Sequence, residues 1–310
     1  AYVLLGINDD SHAGCLYILQ INNLTDILAS CKIVLVGSNS DFGNFFYQKG
    51  PKSIIVEDNV VIAVSMVETS SEWKCMVFGF STDLTKILWS RTIRSNVSTL
   101  LDLVPDREVA IQIFGDSNGY FYLLAPIKRT SDDQTPSVSL LVKFQAKDGN
   151  VMWQRKFVSS KRYINTDPLI NKTETTRVCL NNGEADSSRI HLVGFFHAYY
   201  MDYDCYKNLV PVSTSKGQGM FYLALPADGF ISEYGVIPVE VDTKMPSDRF
   251  ELNYYVGDFN IVDGSGSLNF YNNIRPYTLT TVSYNTTTHG QWYAGTTQSS
   301  IPKNTNVQNI

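Results

Sequence analysis

The sequence has few charged residues and no long apolar run. Only 18% of its 310 residues are Asp, Glu, Lys or Arg, against about 25% in an average globular chain. A net charge of −5 without a basic cluster argues against a nucleic-acid partner, which needs Lys and Arg to neutralise phosphates. No apolar run approaches the roughly 18 residues of a membrane-spanning helix. The 44% hydrophobic content instead favours a chain rich in buried strands.

Histidines and catalytic motifs are also scarce. The four histidines, His12, His191, His197 and His289, form no HxH or HxxxH pair. His191 and His197 share one face of a predicted strand, where a rise of roughly 3.3 Å per residue places them about 20 Å apart, too far to share a metal ion. The sequence contains no glycine-rich phosphate loop, no GxSxG elbow and no CxxC pair. We therefore predict neither a bound cofactor nor a metal site.

Five cysteines, an odd number, do not make a disulfide framework in a chain of this size. Cys15 and Cys75 fall at equivalent places on apolar strands, where a buried thiol acts as a small hydrophobe. Cys179 and Cys205 flank the strand predicted over residues 189–196 and are the preferred candidates for a disulfide. Cys31 lies on the return strand of the hairpin that contains Cys15. Side chains on the same face would allow a less favoured Cys15–Cys31 bridge.

What the sequence has in abundance is a repeated hairpin. Residues 139–157 alternate apolar and polar positions on both sides of a turn at 147–150, the pattern of two paired strands. Adding 64 to the residue number carries Trp89 onto Trp153, and adding 81 carries Trp153 onto Tyr234. An earlier copy of the hairpin lies 60 residues before the one that contains Trp89, since Cys15 then falls on Cys75. Recurrence of this kind indicates a repeat architecture.

Each hairpin follows a further pair of strand-like segments, so each unit is expected to be a four-stranded antiparallel meander. This pattern predicts an all-β fold, a β-propeller-like array of about five blades, with six or seven also open and tandem β-sandwich domains as the alternative. The first unit lacks its opening strand, which the C-terminal part is expected to supply. The strand pair ahead of the third hairpin is assigned to residues 99–104 and 108–114. The predicted units are 1–36, 53–95, 99–158, 176–240 and 251–297 within a domain over 1–297, with a polar tail at 298–310.

The segment 142–153, VKFQAKDGNVMW, combines an apolar strand, an Asp-Gly turn, an apolar pair and a Trp. This order resembles the quinoprotein-like family of bacterial-type β-propeller repeats over residues 1 to about 239. The resemblance implies that one aromatic residue of each unit, here Trp89, Trp153 or Tyr234, docks between neighbouring blades. It does not extend to the quinone-dependent dehydrogenases of that family, because their vicinal cysteine pair and calcium-binding carboxylates are missing from this chain.

Acidic pairs offer one route to catalysis. Two carboxyl groups roughly 5–9.5 Å apart across a sugar hydrolyse glycosides, and oxygen ligands of this type also bind calcium. Every pair lies in a predicted turn, however, where Asp bonds its own backbone. A carbohydrate-binding or carbohydrate-active enzyme is therefore the alternative rather than the first hypothesis. The pairs are Asp9–Asp10, Asp132–Asp133, Asp202–Asp204 and Asp258–Asp263, with Tyr199, Tyr200 and Tyr203 as aromatic platforms and polar loops at 8–14, 131–138 and 201–219 on one predicted rim.

Four N-glycosylation sequons begin at Asn23, Asn96, Asn171 and Asn285. Asn23 is at a predicted hairpin tip and the other three are in or beside polar connections, where a glycan is tolerated. The sequence is thus interpreted as an extracellular, glycosylated structural or interaction module without catalytic activity. Its expected partners are copies of itself, bound through the termini or an open edge strand as in a filament or surface layer, and glycans.

Overall fold

The computed structural model describes the chain in segments and places them in strands and turns, with no helix among them. The predicted all-β class is therefore confirmed for these residues. They are residues 1–9, 12–22, 26–35, 44–46, 53–68, 73–94, 111–127, 138–159, 162–167, 170–203, 209–230, 236–240, 249–257, 259–264, 268–272 and 307–309.

The strands pair only in antiparallel fashion and form four sheets. In chain order they are β1 (Tyr2–Asp9), β2 (His12–Asn22), β3 (Asp26–Leu35), β4 (Asn44–Phe46), β5 (Ile54–Glu57), β6 (Val60–Glu68), β7 (Trp73–Ser81), β8 (Ile87–Arg94), β9 (Gln112–Gly115), β10 (Tyr120–Ile127), β11 (Val138–Gln145), β12 (Val151–Ser159), β13 (Arg162–Asp167), β14 (Ile170–Ala185), β15 (Arg189–Tyr203), β16 (Leu209–Pro226), β17 (Val236–Glu240), β18 (Arg249–Val256), β19 (Asn260–Asp263), β20 (Leu268–Asn272) and β21 (Val307–Asn309).

Each sheet contains one antiparallel meander of consecutive strands. Sheet I has the order β1-β2-β3-β20-β21, and sheet II has the order β19-β8-β7-β6-β4 with β5 also paired to β6. Sheet III has the order β17-β18-β12-β11-β10-β9, and sheet IV has the order β13-β14-β15-β16. Three apolar cores lie between consecutive sheets, I with II, II with III, and III with IV.

The two middle sheets bury both faces, which explains their nearly continuous apolar strands. In β6, Val61 and Ala63 pack toward sheet I, whereas Val60, Ile62 and Val64 pack toward sheet III. Strands buried on both faces lose the alternation of polar and apolar residues that a half-exposed strand shows. Continuous packing of this kind does not fit the alternative of separate two-sheet sandwiches.

The strands described in the fifth predicted unit do not form a sheet of their own. Its described strands β18, β19 and β20 pair with the outer strands β12, β8 and β3, and so cross sheets III, II and I in reverse order. They do not supply an opening strand beside β1. Gln154 fixes the first crossing, because its side chain donates to the Phe259 carbonyl at 3.0 Å and accepts from the Phe259 amide at 3.1 Å. The buried Phe259 ring then enters the core between sheets II and III.

The strand pair assigned ahead of the third hairpin is displaced by one strand, because the predicted strand at 108–114 overlaps β9 and the strand next to the hairpin is β10. Strands β9 and β10 fill this place, joined by a turn in which Ser117 and Gly119 have φ of 62° and 83°. Residues 99–104 lie outside the described residues. The Asp116–Gly119 sequence, DSNG, is a turn signal that would have placed the strand boundary correctly.

The fourth unit differs from its prediction in two ways. The return strand of its hairpin, β17, pairs with β18 in sheet III rather than with β16. The predicted polar loop over 201–219 contains Met201–Tyr203 and Leu209–Gly219, which continue β15 and β16 as one long hairpin. β-branched and small residues such as those of VPVSTS favour extended pairing despite their polarity.

Candidate interaction surfaces

Trp89 lies where sheet II meets sheet III. It stands opposite Gly79 on β7, and the absence of a side chain there lets the indole lie flat over the backbone. The ring stacks on Phe121 of β10 at a centroid distance of 5.8 Å. Its Nε1 donates to the Ala146 carbonyl of the next sheet at 2.8 Å. The indole of Trp89 therefore joins the two sheets through its buried apolar surface and through the hydrogen bond of its Nε1.

Arg91, two residues further along β8, binds the same turn of sheet III. Its Nε donates to the Gly149 carbonyl at 2.9 Å and its Nη2 to the Asp148 carbonyl at 2.8 Å. Gly149 has a φ of 67°, and a Cβ built there would stand 2.6 Å from the Trp89 ring. The Asp-Gly turn is therefore shaped to present two carbonyls to Arg91 while leaving room for the indole.

The same contact recurs between sheets III and IV. Arg155 donates from Nε to the Gly229 carbonyl at 2.9 Å, and a Cβ on Gly229 would stand 2.8 Å from the Trp153 ring. A Trp-x-Arg segment of one sheet thus contacts the Asp-Gly turn of the next sheet at two boundaries, between sheets II and III and between sheets III and IV. Both tryptophans lie between neighbouring sheets, whereas Tyr234 lies outside the described residues.

Lys143 makes the second copy different from the first. It occupies the place that Gly79 holds in sheet II, directly opposite the tryptophan of its own hairpin. Its ammonium group donates to the Ala227 carbonyl at 3.2 Å, the counterpart of the carbonyl that accepts from Trp89. Trp153 is accordingly half-buried, and its Nε1 has no hydrogen-bond partner among the described residues. The carbonyl at this place in the turn therefore accepts a hydrogen bond in both copies. Its donor is the Trp89 indole in the first copy and the Lys143 ammonium group in the second.

A small polar network surrounds this ammonium group. Asp116, with a buried side chain, lies 3.8 Å away, and the rings of Tyr120 and Tyr122 lie 4.6 and 5.2 Å from Nζ. Burial lowers the pKa of Lys143, and the negative charges of Asp116 and Asp228 partly oppose that shift. Burial, reinforced by Asp116, raises the pKa of Tyr122. Burial and Asp116 therefore both favour the neutral form of Tyr122, whereas on Lys143 burial and the acidic neighbours act in opposite directions.

Glu57 joins sheet II to the other turn of sheet III. Its buried carboxylate accepts from the Gly119 amide at 2.9 Å and from the Ser117 amide at 3.3 Å. Gly115 approaches so closely that a Cβ there would stand 2.0 Å from the carboxylate. Glu57 and Lys143 were not predicted from the sequence, because their partners lie in turns of other sheets.

A histidine network on sheet IV was also missed. His191 hydrogen-bonds the Tyr222 hydroxyl through Nδ1, and its Nε2 lies 3.5 Å from Asp186. Asp186 accepts from the Ser188 hydroxyl at 2.8 Å and from the amides of Ser188 and Arg189 at 2.7 and 2.8 Å. These hydrogen bonds hold the pKa of Asp186 well below the usual range. The carboxylate is exposed and organises its own turn, so this cluster is explained by local structure.

The predicted acid pairs form no site in the described part of the chain. Asp263 is exposed and lies 3.9 Å from Arg91. No group of three metal-binding side chains occurs among the described residues. Asp9, Asp202 and the three predicted tyrosine platforms lie in β1 and β15, and the remaining acids, Asp10, Asp132, Asp133, Asp204 and Asp258, lie outside the described residues.

The less favoured disulfide is not formed, because Cys31 is a free, buried thiol. Cys31 pairs with Ile18 and Cys15 with Val34, so Cys15 and Cys31 are not cross-strand partners in this hairpin. For the preferred bridge, Cys179 lies in β14 and Cys205 lies outside the described residues. Of the sequons, Asn171 lies in β14, and Asn23, Asn96 and Asn285 lie outside the described residues.

Cys31 and Cys75 should resist thiol reagents as long as the protein is folded. Both are fully buried, and burial raises the pKa of each thiol, so little thiolate forms at mildly alkaline pH. We expect labelling at these two positions only after denaturant is added, as measured by mass spectrometry of peptides from protein alkylated before and after unfolding. Equal labelling of Cys75 in the native and unfolded protein would contradict its burial.

Sheet I has an edge strand on each side that pairs with a single neighbour among the described residues. Strand β1 forms one edge and β21 the other, and no further strand pairs with either among the described residues. The sequence of β1, YVLLGIND, contains no Lys or Pro to discourage a new partner. Tyr2 and Leu4 pack on the core between sheets I and II, so this edge is held as a formed strand.

No family model, curated protein or solved structure matches this chain. The likeness to quinoprotein-like repeats therefore stays a prediction. Among the described residues no helix has the length and apolar character needed to cross a membrane.

Proposed function

We propose that this protein is an extracellular structural module without catalytic activity that assembles with copies of itself. Its sheets are taken to be blades of a β-propeller-like array. Support for that arrangement comes from the Trp-x-Arg segments, which bind sheet II to the turn of sheet III and sheet III to the turn of sheet IV in the same direction. The four sequons support a secreted glycoprotein.

The observation that carries the proposal is the unprotected edge of β1. The outward backbone groups of this largely apolar, eight-residue strand have no strand partner among the described residues, the condition under which strands of other chains add to a sheet. At the opposite edge of the same sheet stands β21. Pairing β1 of one copy with β21 of the next uses two different surfaces, so the contact is heterologous and repeats without closing. The expected product is an open filament.

Gly6→Pro should abolish this open-ended growth. Ala1 and Ile21 exchange both backbone hydrogen bonds, at 2.9 and 3.0 Å, so the amides of even-numbered β1 residues, Gly6 included, point away from β2. Proline at position 6 removes an outward donor and leaves the ladder to β2 intact. Sedimentation velocity across the micromolar range should show polymers for the wild type and none for the variant.

Gly6→Ala is the matched control, because it also adds a side chain but keeps the amide hydrogen. We expect it to polymerise as the wild type does. A wild-type protein that stays monomeric throughout the concentration range would refute the proposed function, and a Gly6→Pro protein that polymerises normally would refute the role of this edge.

A further inference from the structure

The two carbonyls that sheet II binds on sheet III have counterparts one sheet earlier. Trp89 and Arg91 donate to two carbonyls of the turn of sheet III. The repeat offset of 64 residues places the equivalent carbonyls at Thr82 and Thr85. Both lie in the segment 82–86 between β7 and β8, which we call the sheet II turn. Both also accept a hydrogen bond from a side chain of sheet I.

Strand β3 of sheet I does not carry the donors that its counterpart β8 carries in sheet II. The repeat offset of 60 residues places Ala29 and Cys31 where Trp89 and Arg91 lie. Alanine has no polar group in its side chain, and the cysteine thiol is short and a weak donor. The hydrogen bonds to the sheet II turn therefore come from other strands of sheet I.

Two strands that are separated by β2 and β3 supply these hydrogen bonds. Tyr2 of β1 donates from its hydroxyl group to the Thr82 carbonyl at 2.8 Å. Asn272 of β20 donates from Nδ2 to the Thr85 carbonyl at 2.8 Å. Asn272 pairs directly with Cys31 on β3. A residue 187 positions away from its acceptor therefore takes the place of the missing arginine.

The sheet II turn is a well-defined acceptor for both strands. Asp83 accepts from the hydroxyl and the amide of Thr85 at 2.8 and 3.1 Å, which closes the turn on itself. Leu84, with a φ of 56°, is buried in the core between sheets I and II. Phe270 of β20 enters the same core, and its ring lies 6.2 Å from that of Phe80. Docking of β20 thus buries apolar surface and makes a hydrogen bond at the turn that also binds β1.

We propose that the sheet II turn is a latch that couples the two edges of sheet I. In sheets II and III both donors belong to one hairpin, whereas in sheet I they are divided between β1 and β20. The inference rests on the proposed self-assembly, because β1 forms one assembly edge and β21, which pairs with β20, forms the other. Undocking of β20 removes the partner of β21 and loosens β1 at the turn. Both assembly edges are therefore gained or lost together, and coupling of this kind is reciprocal.

Native-state hydrogen exchange of dilute protein, followed by mass spectrometry of its peptides, tests the coupling without requiring assembly. Asn272→Ala should speed amide exchange about fivefold in β1 as well as in β20, as loss of one hydrogen bond does, and leave β10, β11 and β12 unchanged. Tyr2→Phe keeps the ring and removes the hydroxyl group, and it should speed exchange in β20 to the same extent. Asn269→Ala is the matched control, because Asn269 lies on β20 between the core residues Leu268 and Phe270 and so on the opposite face. It should change exchange in neither strand.

Sedimentation velocity of the same variants connects the latch with assembly. Asn272→Ala should raise the protein concentration at which half of the chains are polymeric about fivefold, and Asn269→Ala should leave it unchanged. Faster exchange that is confined to the substituted strand, or that is equal in all four sheets, would overturn the latch. Polymerisation of Asn272→Ala at wild-type concentrations would overturn its role in assembly. Reciprocal changes in exchange in a protein that never polymerises would support the latch and refute the proposed function.

Discussion

Trp89→Ala should lower the free energy of unfolding by about 4 kcal/mol, within the range seen for buried Trp or Phe truncations. The substitution removes the stack on Phe121, opens a void between sheets II and III, and leaves the Ala146 carbonyl without its indole donor. A buried acceptor that loses its partner adds its own desolvation cost. Urea unfolding followed by far-UV circular dichroism measures the loss.

The matched control is Trp153→Ala. Trp153 holds the same place in the next sheet, but it is half-buried and its Nε1 makes no hydrogen bond among the described residues. Lys143, not Trp153, satisfies the Ala227 carbonyl. We expect Trp153→Ala to lower the free energy of unfolding by about half as much as Trp89→Ala does. Equal losses at the two positions would contradict the distinction drawn between the two sheet boundaries.

The sequence allowed prediction of what is encoded locally. Period-two apolar patterns with Asp, Asn and Gly turns identified most strands of the four meanders, and the repeat indicated equivalent places for Trp89 and Trp153. Both residues do lie at sheet boundaries. These features could be inferred because a hairpin depends on residues close together in the chain.

Pairing between distant segments could not be predicted in the same way. Strands β18, β19 and β20 have strand-like sequences, but nothing in them specifies that they join β12, β8 and β3 in reverse order. A strand pattern defines which face is buried and not which edge it meets. The strand pattern of the C-terminal segment alone therefore predicts a separate blade.

The β-bulges in sheets I, II and III show a different limit. Leu28, Leu88 and Met152 align in the repeat, and an apolar residue beside a turn is expected to be buried. Only the register reveals that each is the extra residue of a bulge and points outward. The roles of Gly79 and Lys143 could not be predicted for the same reason. Only the register shows that each lies opposite a tryptophan.

Gly79→Ala should cost about 2–3 kcal/mol of unfolding free energy, the range for overpacking a close-packed site. A Cβ at position 79 would stand 2.3 Å from Cε2 of Trp89, so the indole must move and lose its geometry toward Ala146. Lys143→Ala, at the equivalent place in sheet III, should cost about 1 kcal/mol, the value of a typical hydrogen bond, since the position already accommodates a Cβ. Chemical denaturation of both variants gives the comparison.

The decisive measurement is the same substitution in a Trp89→Val background. Without the indole the clash disappears, and alanine in a strand interior is favoured over glycine by roughly 0.5–1 kcal/mol. The effect of Gly79→Ala on the free energy of unfolding should therefore change sign. The substitution should destabilise the protein beside Trp89 and stabilise it when the smaller valine side chain lies opposite. A cost that is the same in both backgrounds would mean that glycine is required by the strand itself, and not by the tryptophan that joins sheet II to sheet III.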